Sequence, residues 1–183
     1  MSEYSIRAAM LQDVGGIAAV HVESWHTTYE GLLPPEVIAE RTVERRTRAW
    51  AHILSAADPE SRTFIAEESG RITAFAHFGP TRSPELPFTH ELFAIYSLQE
   101  VHGRGIGTAL VRAGAGWLDS RGARSMMLWV LESNTLGRGF YDRLGGRVVG
   151  RRIDPISTVL VHELAYGWDD LAALLKMPNS PAK

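Results

Sequence analysis

Glycine alternates at positions 103, 105 and 107, directly after a nearly continuous apolar run and directly before a stretch of helical periodicity. The run, Glu91-Leu92-Phe93-Ala94-Ile95-Tyr96-Ser97, suits a central strand covered on both faces. The stretch from Thr108 to about Arg121 sets Leu110, Val111, Gly114, Trp117 and Leu118 on one side of a helix. Glycine reaches dihedrals closed to other residues and lets a ligand approach the backbone. A helix N-terminus adds unpaired N–H groups and a partial positive charge, a combination that suits phosphate. A tight strand-to-helix turn without a ligand is the other reading. A dinucleotide-binding loop would place glycine where Thr108 stands, and a Walker loop needs a lysine, none of which lies within sixty residues.

The remaining pattern fits around that turn. Tyr4 to Arg7 can form a short first strand. Asp13 is placed to cap a helix from Val14 to about Tyr29, with Val14, Ile17, Ala18, His21 and Trp25 on one face. Gly31 and Pro34-Pro35 then break the chain, and a second helix starts near Thr42, carrying Val43, Trp50, Ile53 and Leu54. Thr63–Glu67 and Ile72–Phe78 flank the turn signal Ser69-Gly70. Gly79 to Pro87 contains three prolines and reads as a mobile loop. Ser125 to Leu131 is a strand, Asn134 to Leu144 a short helix, and Val148–Ile153 with Thr158–Leu164 a closing hairpin. Asp169 to Leu175 adds a turn of helix. The expectation is an α/β fold with a mixed sheet, a single domain over 1–176 and a tail over 177–183, with the ligand site at the carboxyl end of a central strand.

Composition narrows the chemistry. Apolar residues make up 45% of the 183-residue chain and charged residues 22%, as in a globular domain. A net charge of −2 gives no general attraction to nucleic acid or to an anionic membrane. The absence of cysteine removes disulfides, thiolate metal sites and a cysteine nucleophile, and no metal is expected. The N-terminus has neither the basic start nor the apolar core of a secretory signal, so a cytoplasmic location is expected.

The loop, His102-Gly103-Arg104-Gly105-Ile106-Gly107, resembles the pyrophosphate loop of the GNAT acetyltransferases, Gln/Arg-x-x-Gly-x-Gly/Ala, with His102 in place of the usual Gln or Arg. Asn134-Thr135-Leu136-Gly137-Arg138-Gly139-Phe140-Tyr141-Asp142-Arg143-Leu144-Gly145 is similar to the family's second signature. Ser24 to Pro34 resembles a segment of its small-molecule and polyamine-type branch, and Tyr166-Gly167-Trp168 is also usual there. The resemblance implies a mixed, largely antiparallel sheet with splayed central strands, flanked by helices, and acetyl-coenzyme A as cofactor. It implies that the backbones of Ile95, Tyr96 and Ser97 meet the pantetheine arm. The amides of Gly103, Arg104, Gly105, Ile106, Gly107 and Thr108 would hold the pyrophosphate. Asn134 would contact the pantetheine side, and Arg143 would reach the ribose phosphate or else sit on a solvated helix surface.

Acetyl transfer to an amine needs a neutral amine, a stabilised oxyanion and a departing thiolate. At pH 7 an alkylamine of pKa about 10.4 is neutral once in roughly 2,500 molecules, a penalty of about 4.6 kcal/mol. Tyr141 matches the family's tyrosine acid, acting as a donor to the developing thiolate, or else is a core aromatic beside Phe140. Glu91 is the first candidate base and His77 the second, with His90 and Glu132 behind them. Trp129 stands where some relatives carry a catalytic glutamate. Trp25, Tyr29 and Phe93 are placed to wall the acceptor pocket, or else are core. The expected activity is acetylation of a primary amine, of a small molecule, by direct attack in a ternary complex. A sensor that holds acetyl-coenzyme A without turnover, and a peptide or protein acetyltransferase, are the alternatives. A homodimer through the closing strands is a further expectation.

Overall fold

A computed structural model describes residues 4–176. The expected tail, 177–183, lies outside the described residues. A single seven-stranded sheet has the order β1-β2-β3-β4-β5-β7-β6, built from β1 Ser5–Ala8, β2 Arg62–Glu68, β3 Arg71–Pro80, β4 His90–Ser97, β5 Met126–Leu131, β6 Arg147–Ile156 and β7 Val159–Trp168. Only β4 and β5 run parallel; the other neighbours are antiparallel. The helices are α1 Val14–Tyr29, α2 Pro35–Ala39, α3 Val43–Ser55, α4 Ile106–Ser120, α5 Thr135–Arg143 and α6 Leu171–Lys176.

Side chains alternate across β3, and the two helical layers use that alternation. Phe75 points to α1 and α3, where its ring meets His21 and Trp50. Phe78 points to α4, so close that a Cβ at Gly114 would stand 2.1 Å from its ring. On that second side Leu110, Val111 and Leu118 of α4 and Leu171 and Leu174 of α6 are buried in one core with the sheet.

Local chemistry sets most boundaries. Ser69 and Gly70 both take positive φ, 51° and 79°, which closes the tight β2–β3 turn. Thr42 caps α3 by accepting the Arg45 N–H, whereas Asp13, at the head of α1, makes no such bond. Its carboxylate instead accepts the Met10 N–H and pairs with Arg7. Two expectations change. The break at Pro34-Pro35 holds the short helix α2, with Pro35 at its first position, where a missing N–H costs nothing. The loop after β3 is packed rather than loose: Phe88 and Ser83 are buried, Thr81 N–H bonds to Thr89 O, and Trp129 donates to Ser83 Oγ at 2.8 Å. Among the described residues no helix is long and apolar enough to cross a membrane.

Candidate active site

The site begins with an irregularity in β4. His77 pairs with Ala94 and Phe78 with Leu92, so Phe93 is an extra, bulged residue. Pairing of β4 with β5 is confined to Glu91 opposite Met127, while β5 continues along β7 from Met126 to Leu131. Beyond the bulge the two parallel strands therefore part. Ala94 to Ser97 keep β3 on one side and face the opening on the other, which leaves Ile95, Tyr96 and Ser97 placed for backbone contact with an extended ligand.

The glycine turn closes the far end of this opening. Gly103 and Gly105 take φ of 75° and 81°, left-handed values that favour glycine. Gly105 is the N-cap of α4 and offers no side chain, so the helix's first hydrogen bond runs from Ala109 N–H to Gly105 O. The amides of Ile106, Gly107 and Thr108 belong to the first turn, whose N–H groups have no acceptor within the helix. A Cβ on Gly103 would meet nothing within 4 Å, and one on Gly105 only the Tyr4 hydroxyl at 3.9 Å, so the loop's outer side is open. Gly107 serves a different need, since its Cβ would stand 3.1 Å from Phe140 of α5. A pyrophosphate fits this cradle of open backbone and helix N-terminus. The side chains nearby turn elsewhere: Ile106 is core, Arg104 is paired with Glu68 at 2.7 Å, and His102 Nε2–H donates to Ser97 O at 3.2 Å. His102 thus ties the loop to the end of β4.

After β5, Asn134 Oδ1 caps α5 by accepting Gly137 N–H at 2.9 Å. Only its amide NH2 is left for a ligand. Arg143 is exposed on the last turn of α5, where its charge suits the helix C-terminus. Tyr141 is buried against Tyr166 and Trp168, and burial raises its phenol above the ordinary 10, with the Tyr29 phenol adding to the shift. A phenol so placed stays protonated and keeps its O–H to donate.

Tyr29 and Tyr96 come from the opposite side of the sheet. Their hydroxyls lie 3.4 Å apart, burial raises both phenols, and Tyr141 acts electrostatically on Tyr96. The Tyr29 and Tyr96 hydroxyls thus meet at the splay from α1 and β4, with Tyr141 of α5 within electrostatic range of both. Trp25 packs 4.3 Å from the Tyr29 ring, in a cluster with Leu33, Val37, Ile38 and Leu131 that Val159 and Val161 of β7 complete. Ser157, at the β6–β7 turn, donates to Glu40 just past α2, closing this wall.

Phe93 and Glu91 belong to a second group, near the start of β4. Phe93 lies under the Arg82 guanidinium at 4.6 Å and beside His77, about 10 Å along the strand from Tyr96. Glu91 is 1% exposed, and its carboxylate accepts from the backbone N–H, Nε and a terminal nitrogen of Arg82. As a base it would have to break that ion pair. His77 bonds Thr63 Oγ1 at 2.9 Å, and burial pushes it down to about 4. His90 bonds its neighbour Thr89, and Glu132 pairs with Arg151.

Other residues emerge only in three dimensions. Where a glutamate could have stood, Trp129 carries the Arg152 guanidinium 4.1 Å above its ring, and Arg152 holds Glu163. His21 stacks on Tyr96 at 4.9 Å, accepts the Trp50 Nε1–H at 3.1 Å, and is held down to about 3 by burial and then by Arg46 and Arg41. Nothing in the sequence marks these arginines beyond Arg46 lying one helical turn before Trp50.

Residues 21–146 match the model of the acetyltransferase (GNAT) family. The uncharacterized N-acetyltransferase YuaI of Bacillus subtilis (strain 168) is 35% identical over 180 residues, which cover 96% of this chain and 98% of YuaI. Two solved structures share the fold. PaiA N-acetyltransferase of Thermoplasma acidophilum, in complex with coenzyme A, is 18% identical with a TM-score of 0.67, over 88% of this chain and 98% of its own. YncA of Salmonella typhimurium, with its cofactor acetyl-CoA, is 18% identical with a TM-score of 0.66, over 98% of both chains.

Proposed function

The chain belongs to the GNAT family of acetyltransferases, and from that premise we propose that it transfers the acetyl group of acetyl-coenzyme A to the primary amine of a small molecule, by direct attack in a ternary complex. The observation that carries this reading is the opening between β4 and β5, with open glycine amides at one end and three phenols across it.

In this reading the amides of Gly103 to Thr108 hold the pyrophosphate, and Ile95, Tyr96 and Ser97 meet the pantetheine through their backbones. The Asn134 amide adds a contact, and Arg143 offers charge for the ribose phosphate. The thioester then lies at the splay, with the acceptor arriving from the side of Trp25 and Tyr29. Phe93 shapes the far end of that side. The resemblance of Ser24 to Pro34 to the small-molecule and polyamine-type branch supports a small acceptor, since that segment forms the acceptor wall.

The neutral amine nitrogen attacks the thioester carbon, and a β4 backbone N–H beyond the bulge receives the oxyanion. The carbon–sulfur bond then breaks, and the Tyr141 hydroxyl donates a hydrogen bond to the thiolate. With a phenol less acidic than a thiol, Tyr141 stabilises the leaving group rather than giving up its proton. The nitrogen's proton leaves to solvent or to the thiolate. Glu91 positions the 81–89 loop through Arg82 in this scheme, and the amine reaches its neutral form by losing a proton to water. A cytoplasmic location and a homodimer complete the proposal. Support for the latter is the apolar exposure of Val148 and Ile153 on the edge strand β6 and of Leu160 on β7.

Release of coenzyme A thiol across a panel of amines tests the reading. Amine-dependent release is expected. Release no faster with any amine than without would overturn it.

A further inference from the structure

The acceptor wall holds buried hydrogen-bond donors that the protein does not satisfy, and Arg41 and Arg46 bring positive charge to it. Arg41, between α2 and α3, lays its guanidinium 4.5 Å over the ring of Trp25, which packs on Tyr29. Arg46 stands one turn before Trp50 on α3 and so shares its helix face. Trp50 donates to His21, and His21 stacks on Tyr96. Arg41 thus covers the Trp25–Tyr29 side of the wall, and both cations act electrostatically on His21, which stacks on Tyr96.

Among the described residues, neither arginine has a carboxylate in ion-pairing range, although surface arginines elsewhere pair repeatedly. Arg46 Nε–H and Trp25 Nε1–H are buried without a protein acceptor, and Trp25 is 6% exposed. A buried donor left unpaired is costly, so each calls for an acceptor. The carboxylate that acts on Tyr29, that of Glu163, is already taken by Arg152.

We infer that the acceptor amine carries an oxyanion group, a carboxylate or phosphonate, bound by Arg41 and Arg46 beside the Tyr29–Tyr96 hydroxyls. This rests on the acetyltransferase reading and names the substrate class for its acceptor side. An oxyanion supplies the missing acceptors and offsets the positive charge of the two guanidinium groups. The same charges disfavour a nearby ammonium, which helps the bound amine to reach its neutral, attacking form. A polyamine would meet like charge instead.

The test compares rates of coenzyme A release for matched amines: an amino acid, its primary amide, the aminophosphonate of the same length, and a diamine. The expected kcat/KM for a carboxylate or phosphonate exceeds that for the amide by about tenfold or more, and the two anionic arms identify the oxyanion. Arg41→Gln and Arg46→Gln should each lower kcat/KM for the anionic amine about 10- to 100-fold, chiefly through KM. The KM for acetyl-coenzyme A should hardly change, and the rate with the amide should fall by much less than that with the anionic amine. Arg46→Lys, which keeps the charge, should recover part of the loss, and thermal melting checks that each variant folds. Equal rates with amide and carboxylate, or indifference to both glutamine variants, would overturn the inference and leave the acetyltransferase reading standing. Thiol release with none of the amines would overturn both.

Discussion

Gly105→Val separates what the glycine loop does for the fold from what it does for a ligand. Gly105 has φ of 81°, and a Cβ there meets only the Tyr4 hydroxyl at 3.9 Å. The cost to the free protein is therefore conformational: about 1–2 kcal/mol for a side chain in the left-handed region, more for a β-branched one. For a chain of 183 residues this corresponds to a Tm drop of roughly 2–8 °C, at 2–4 °C per kcal/mol. The effect on the ligand is larger. The branched side chain projects into the open space through which phosphate must reach the amides. Losing two charge-assisted hydrogen bonds at about 1.5–3 kcal/mol each weakens Kd by roughly 100- to 10,000-fold. Gly107→Val acts through packing instead, because its Cβ would stand 3.1 Å from Phe140 and force α5 away at about 1–3 kcal/mol. Calorimetric titration with acetyl-coenzyme A, beside thermal melts, measures both effects. Lower Tm with near-native affinity in both variants would reduce the loop to a turn and refute the cradle.

Three further outcomes are expected. The unfolded chain protonates His21 below about 6.5, but the folded chain holds it neutral down to about 3, so its contribution to stability falls with pH, by about 2 kcal/mol from pH 7 to pH 5. Denaturant titrations of His21→Gln should show that much less acid sensitivity; an unchanged difference between the two pH values would contradict the assignment. Glu91→Gln should cost about 1–3 kcal/mol, by weakening the buried contact to Arg82, while the acid limb of the rate profile persists. Loss of that limb would make Glu91 the base. Light scattering should give a dimer mass at micromolar concentration, and Leu160→Glu a monomer; a monomer mass for the wild type would remove the hairpin interface.

The regular elements were legible because their signals are local. The Gly103–Gly107 alternation needed no knowledge of neighbours, and the helix starts at Ile106 rather than Thr108 because Gly105 itself caps it. What stayed hidden depends on register. The bulge at Phe93 parts β4 from β5 and brings Tyr29, Tyr96 and Tyr141 together from three distant segments, and no periodicity encodes it. Glu91 read as an open strand-end acid, but Arg82 folds back on it from the preceding loop. That loop's three prolines read as mobility, while Phe88 and Ser83 pack it down. Arg41 and Arg46 look like any of the chain's 17 arginines until the fold lays Arg41 over Trp25 and brings both within electrostatic range of His21.

The most direct test of the account is turnover against cofactor affinity in Tyr141→Phe. The substitution removes one hydroxyl and keeps a ring packed on Tyr166 and Trp168. The account predicts a kcat lower by about 10- to 1,000-fold with an active amine, in line with the loss of one positioned donor. It also predicts an almost unchanged Kd for acetyl-coenzyme A, because the bond strengthens only as charge develops on sulfur. Wild-type turnover in this variant would make Tyr141 a core aromatic and contradict the proposed chemistry.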